Sequence, residues 1–271
     1  MNRNELRALL EKHDVRASKA LGQHFLVDPN TARRIVRFAA LERGDRVVEV
    51  GPGVGALTLA LSDAGARVLA LELDRHLLPV LEDVVGTRDV MVVAGDALTV
   101  DWPRLLAGGD RWAMVSNLPY NVATPVVVRA LEEAPMVDRM LVMVQREVGE
   151  RLAATVGTKQ YGAVTVKVAY YADAKVVGIV PPTVFAPRPN VDSALVKLVR
   201  HAPPVAVDDP ARLFELVRAG FATRRKTLRN ALGAVFGANA EDVLRAAGID
   251  PMRRAETLTL DDWARVAAVP Q

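Results

Sequence analysis

Ser116-Asn117-Leu118-Pro119-Tyr120 sets a side-chain amide, a proline-stiffened turn and a phenol side by side, directly after the apolar run Trp112 to Val115. The Asn117 side-chain oxygen and the Leu118 carbonyl can accept hydrogens from an amino group, and Tyr120 offers a flat face for stacking. Such a set suits the exocyclic amino group of a planar base. That nitrogen is a poor nucleophile, because its lone pair is delocalised into the ring. Its chemistry therefore depends on acceptors for its hydrogens and on close placement rather than on a general-base histidine. Asn and Pro are also common turn residues, so the same letters by themselves equally describe a turn.

A second group lies upstream, in Val47-Val48-Glu49-Val50-Gly51-Pro52-Gly53-Val54-Gly55, where a buried strand runs into glycines ahead of a helix expected to begin near Ala56. Glycines let the backbone approach a ligand without Cβ clashes, at the carboxyl end of a strand where doubly wound sheets bind nucleotides. Gly51, Gly53 and Ala56 also satisfy the dinucleotide fingerprint in its Gly/Ala form, with Glu72 at the distance, about 20 residues, expected of a ribose-binding acid. The glycines alone leave the cofactor open, and Glu72 or Asp96 taken singly reads equally as a loop acid or helix cap.

The elements that must hold these groups follow from the pattern between Arg46 and Gln145. Short Val/Leu-rich runs (Val47 to Val50, Val68 to Leu71, Val90 to Val93, Trp112 to Val115, Met140 to Val144) alternate with segments of helical apolar spacing. The runs are too continuously apolar for a sheet wet on one face, so helices should cover both faces of a parallel sheet. Ala163 to Tyr171, Lys175 to Val180 and Ala194 to Val199 read as strands with no long helix between them, so the sheet is expected to finish antiparallel. The Pro-rich stretch His201 to Pro210 reads as a linker, dividing residues 1–203 from a small helical domain, 204–271.

Composition narrows the chemistry. The 271 residues contain no cysteine, which removes disulfides, thiolate nucleophiles and cysteine-based zinc sites. The four histidines, His13, His24, His76 and His201, show no metal-ligand spacing, so no catalytic metal is expected. No apolar run reaches the roughly 18 residues that a membrane helix needs, and the first residues show no signal-peptide core, so a cytoplasmic chain without membrane contact is expected. The net charge is a mild +3. Its distribution says more, since no acid stands between Glu215 and Glu241 while Arg218, Arg224, Arg225, Lys226 and Arg229 all do. This field suits RNA phosphates, the alternative being a solvated helix face. On one continuous helix Arg218, Arg225 and Arg229 would flank the apolar stripe of Phe214, Val217, Phe221 and Leu228 rather than oppose it.

Glu49, two residues before Gly51, and the G-x-G-x-G spacing of Gly51, Gly53 and Gly55 resemble the first motif of class I methyltransferases. The resemblance implies a Rossmann-like α/β sheet and S-adenosyl-L-methionine as cofactor, with Glu72 on the ribose and Asp96, beside Ala97, on the adenine amino group. Asn117-Leu118-Pro119-Tyr120 resembles the motif of N6-adenine methyltransferases. Gly22-Gln23-His24-Phe25-Leu26, ahead of the first expected helix, looks like the G-Q-N-F-L segment of the rRNA adenine dimethyltransferases. His24 stands there where Asn is common, and Leu26 is unchanged; both are implied on the cofactor.

Gln145-Arg146-Glu147-Val148, Tyr161-Gly162 and Val184 to Ser193 extend the resemblance over nearly the whole chain. Phe185, in the last stretch, is a candidate for the second face of a base sandwich, a buried core phenylalanine being an equal reading. Phe221 to Asn230 resembles the F-x-x-R-R-K-x-L-x-N signature of the small-subunit branch. That branch implies two methyl groups on each of two adjacent adenosines in the 3′-terminal hairpin loop of 16S rRNA. The implied substrate is an immature small ribosomal subunit and the enzyme a monomer. Two other readings compete. A non-catalytic RNA-binding assembly factor keeps the basic segment and leaves the cofactor site idle; an NAD-dependent oxidoreductase explains the glycines but not Asn117 to Tyr120.

Overall fold

Runs of Val, Leu and Met with almost no polar interruption give the central strands of a computed structural model, which describes residues 1–18 and 21–270. The strands are β1 (Phe25–Leu26), β2 (Arg46–Val50), β3 (Arg67–Glu72), β4 (Val90–Ala94), β5 (Trp112–Asn117), β6 (Val137–Gln145), β7 (Ala172–Val180), β8 (Phe185–Ala186) and β9 (Ser193–Arg200). The helices are α1 (Arg3–Lys12), α2 (Pro29–Ala39), α3 (Ala56–Asp63), α4 (Leu78–Val85), α5 (Trp102–Leu105), α6 (Ala123–Glu133), α7 (Arg146–Leu152), α8 (Ala163–Tyr171), α9 (Pro210–Ala222), α10 (Leu228–Phe236), α11 (Ala240–Ala246) and α12 (Leu260–Ala267). β1 and β8 form a small antiparallel pair, and the other seven strands form one sheet in the order β4-β3-β2-β5-β6-β9-β7.

β2 pairs in parallel with β3 on one side and β5 on the other, β3 with β4 and β5 with β6 likewise, while β6 and β9 are antiparallel. The order reverses at β2, so connections leave it in opposite directions and a crevice opens beyond its carboxyl end. The registers Val50↔Leu71, Glu72↔Ala94 and Asn117↔Met143 bring the ends of all the parallel strands to that side. Val47, Val48, Leu71, Met114 and Val142 are fully buried, as a sheet covered on both faces requires. β4 departs from that expectation: it is an edge strand whose Met91 is 63% exposed.

Two elements differ from the sequence expectation. Ala163 to Tyr171 forms α8 and not a strand. Its β-branched residues favour extended chain only weakly, and tertiary burial overrides them. Val166 and Tyr170, one helical turn apart, enter a core with Leu213, Phe214 and Trp263, and the Gly162 N–H donates to the Thr165 hydroxyl at the helix start. The antiparallel finish of the sheet therefore comes from β9 against β6. At the other end α1 has no counterpart in the sequence expectation, although its capping box is legible. The Asn2 side chain accepts from the Glu5 N–H, and the Glu5 carboxylate accepts from the Asn2 N–H.

The chain divides into two compact units, Met1–Gly149 with Ala174–Arg200, and Glu150–Asp173 with His201–Gln271. The break at Arg200 is close to the expected linker. Residues 150–173, expected with the larger domain, belong instead to the second unit, because Tyr161, Val166 and Tyr170 are buried in its core. Within that unit Gly220 lets α9 approach α12: a methyl group there would overlap the fully buried Trp263 indole. Gly220→Ala is expected to destabilise this unit by about 1–3 kcal/mol, the usual cost of overpacking. A thermal-unfolding midpoint equal to wild type would exclude that close approach.

Candidate active site

Three left-handed glycines shape the loop after β2, with φ of +68° at Gly51, +59° at Gly53 and +82° at Gly55. A Cβ at Gly51 would stand 3.0 Å from Pro119 Cδ, and one at Gly53 3.0 Å from the Phe25 ring. The first two glycines therefore keep the loop flat against the tetrapeptide and the β1 segment, and both line a cavity with Glu49, Glu72, Asn117 and Tyr120. Gly55 does not face this cavity, contrary to its expected place on the cofactor. Its Cβ would meet Leu81 and Val84, so it starts α3 and admits α4.

Glu72 ends β3 almost wholly buried and accepts at both oxygens, from the Gly53 N–H (2.9 Å) and the Asp74 N–H (2.9 Å). It pins the glycine loop. Burial raises its pKa against these amides, which stabilise the carboxylate. Glu49 is more extreme. Burial pushes its carboxyl up to about 8, the Thr58 hydroxyl opposes that by donating at 2.6 Å, and the charge of Glu72 adds to it. In the ligand-free protein this burial favours the protonated form of Glu49 near neutral pH.

Asn117 closes β5. Its Nδ2 donates to the His24 carbonyl at 3.2 Å, whereas its Oδ1 is buried with no hydrogen-bond partner among the described residues. Such an acceptor costs stability, about 1–3 kcal/mol, unless a ligand satisfies it. Leu118 is buried, with its N–H given to Met143, and Pro119 forms the Gly51 contact. The Tyr120 ring lines the cavity half-buried, its hydroxyl 2.6 Å from Ser193 Oγ. Gly22 to Leu26 forms another wall. Gln23 donates to Asp74, His24 Nδ1 donates to the Pro187 carbonyl at 2.7 Å, and the His24 ring lies 5.2 Å from that of Tyr120.

The structure thus brings together Asn117, Leu118, Pro119, Tyr120, His24, Leu26, Glu49, Gly51, Gly53 and Glu72. Asp96 and Ala97 do not line the same cavity. Asp96 follows β4 and accepts from the Leu98 N–H, and Arg129 fixes this loop by donating to the Ala97 and Val100 carbonyls. Phe185 is a correction. Its side chain is wholly buried in the core with Leu26, Ile35 and Leu195, so no base can stack on it. Thr58 is not singled out by the sequence, and Gln23 and Ser193 stand there only as members of matching stretches, because their partners Asp74 and Tyr120 lie far along the chain.

In the second unit α9 continues through Gly220 and ends at Ala222, so the continuous helix considered from the sequence does not form. Arg224, Arg225 and Lys226 lie exposed in the turn before α10, with Arg218 exposed on α9 and Arg229 exposed in the first turn of α10. Arg224 donates to the Lys159 carbonyl and lies 3.6 Å from Glu256; Arg229 is 3.3 Å from Glu241. Among the described residues Arg218, Arg225 and Lys226 make no ion pair.

Comparison with known proteins gives the family. The family model described as ribosomal RNA adenine dimethylase matches residues 15–270. A ribosomal RNA small subunit methyltransferase A of Kineococcus radiotolerans is 47% identical, covering 99% of this chain and 91% of its own. The protein of that name from a Geobacillus species is 42% identical, covering 96% and 94%. In fold, the chain is similar to a dimethyladenosine transferase from Plasmodium falciparum, with a TM-score of 0.75 at 23% identity over 90% of this chain and 96% of that one. Matched by that family model over almost its whole length, the chain belongs to the ribosomal RNA adenine dimethylase family.

Proposed function

We propose that this enzyme uses S-adenosyl-L-methionine to dimethylate N6 of two adjacent adenosines in the 3′-terminal hairpin loop of 16S rRNA, acting as a cytoplasmic monomer on the immature small ribosomal subunit. The single observation that carries the reading is the orphaned Asn117 Oδ1, buried in the cavity that Tyr120, Gly51 and Glu72 also line. The residues present fit the cofactor. Gly51 and Gly53 leave a backbone cradle that a Cβ would fill, Glu72 can accept from ribose hydroxyls, and buried Glu49 can balance a cation. Asp96, which does not line this cavity, is assigned to the cofactor's adenine by the family resemblance alone, on a loop held by Arg129.

When bound, the cofactor supplies an electrophilic methyl group on a positively charged sulfur. The chain's own residues do the rest. Asn117 Oδ1 accepts one hydrogen of the target amino group and the Leu118 carbonyl another, which turns the nitrogen lone pair out of the ring plane. Tyr120 stacks on the base, which must leave its own stack to enter. His24 and Leu26 wall the site, and Pro119 holds the acceptors at a fixed distance from the glycine turn. Hairpin-loop RNA is a fitting partner, because its bases splay out at low cost.

Mass spectrometry of small-subunit rRNA from cells with and without the gene tests substrate and product together. Loss of N6,N6-dimethyladenosine from that loop is expected; an unchanged loop favours a non-catalytic assembly factor. RNA binding by the second unit has its own test. Arg225→Gln with Lys226→Gln is expected to lower the slope of log affinity against log salt by about 0.7 for each phosphate left without its cation. Arg224→Gln, whose cation already faces Glu256, should change it less. An unchanged slope in the double variant returns this turn to an ordinary solvated surface.

A further inference from the structure

We infer that Ser193 is a positioning residue for the methyl-transfer step: its hydroxyl fixes the Tyr120 ring from across the sheet. The inference rests on the proposed role of Tyr120. Ser193 is the first residue of β9 and stands in register with Gln145 at the end of β6. Because β6 lies between β5 and β9, the Tyr120 phenol reaches past the β6 tip to meet Ser193 Oγ at 2.6 Å. Ser193 is wholly buried, and a buried hydroxyl needs a partner; among the described residues its hydrogen bond is to this phenol.

The consequence is orientational. A tyrosine ring swings about its first side-chain bond and spins about its second; the hydrogen bond at the phenol oxygen, which lies on the spin axis, arrests the swing, and packing against His24 limits the spin. The other side of the ring is met by His24 at 5.2 Å and 35°, so Tyr120 is bracketed before any base arrives. A face already set in this way gains nothing in RNA affinity that an unset face could not recover by turning. It shortens the search for the one geometry in which the amino nitrogen meets the transferred methyl. The effect therefore belongs in kcat and not in KM.

The test is a cycle of Ser193→Ala, Tyr120→Phe, the double variant and Tyr120→Ala, assayed for methyl transfer to immature small subunits. Ser193→Ala and Tyr120→Phe are each expected to lower kcat about 3- to 10-fold, the worth of one hydrogen bond, with KM within about 2-fold. The double variant should lose no more than either single one, and Ser193→Thr should restore most of kcat. Additive losses, or a rise in KM with kcat intact, overturn the inference. If Ser193→Ala does not fold, Tyr120→Phe deletes the same bond without touching β9, and full activity there overturns it. Activity in Ser193→Ala equal to wild type, with Tyr120→Ala inactive, sinks the Ser193 role and leaves the proposed function standing. A fully active Tyr120→Ala removes both.

Discussion

Asn117→Ala is expected to lower kcat by about 10²- to 10³-fold, the usual loss when one preorganised polar group at the reacting centre is deleted. The same change should leave the fold no less stable. Wild-type Asn117 carries a buried acceptor with no partner, and the alanine removes that cost together with the Nδ2 bond to His24. Opposite signs in the two measurements mark a group kept for a ligand rather than for the fold. Asn117→Asp sharpens the point, since its carboxylate still accepts but sets an anionic oxygen against the His24 carbonyl. Its activity should fall as far. Single-turnover methyl transfer and thermal unfolding on the same preparations measure both, with the cofactor dissociation constant expected within about 5-fold of wild type. Activity within threefold of wild type in Asn117→Ala ends the assignment of the tetrapeptide.

What could be read from the sequence was what depends on neighbours along the chain. Gly51 and Gly53 follow a run of buried β-branched residues, so their place at a strand tip and their left-handed backbone both follow from local pattern. Asn117 to Tyr120 likewise sits at the end of β5 because Trp112 to Val115 can only be a buried strand. The failures involve partners far apart in sequence. Phe185 lies in a Pro-rich stretch that leaves base stacking and core burial both open, and the choice falls to the core because β8 pairs with β1 and turns the ring inward. Gly55 completes a glycine motif, yet the space it protects belongs to Leu81 and Val84 on α4. α8 reads as a strand because Val and Thr spacing fits both periods, and the aromatic core that selects the helix is assembled from residues 213 to 263. That a hydroxyl 73 residues away holds Tyr120 is invisible before the sheet order is known.

Cofactor affinity should rise with pH up to about 8, and Glu49 is the reason. Its carboxyl, pushed up to about 8 by burial, is protonated in the free protein at neutral pH. S-adenosyl-L-methionine carries two positive charges and one negative, so its arrival favours the carboxylate and a proton leaves as it binds. Below pH 8 that proton has to be removed, at a cost of up to tenfold in affinity for each pH unit, or about 50-fold between pH 8 and pH 6. Titration calorimetry in two buffers of different ionisation enthalpy counts the proton directly. Glu49→Gln should release none and bind with little pH dependence over this range. The ligand-free fold carries the complementary signature. A carboxyl that holds its proton more tightly in the folded than in the unfolded chain contributes stability that is complete below its ordinary value of 4.5. That contribution is lost as pH rises through about 8. Glu72, also raised by burial, contributes in the same direction. Glu49→Gln should flatten this decline, because the amide has no proton to lose. Wild-type affinity that is level from pH 6 to pH 8, or a Gln variant that keeps the full slope, would show that the charge meeting the sulfonium comes from some other group.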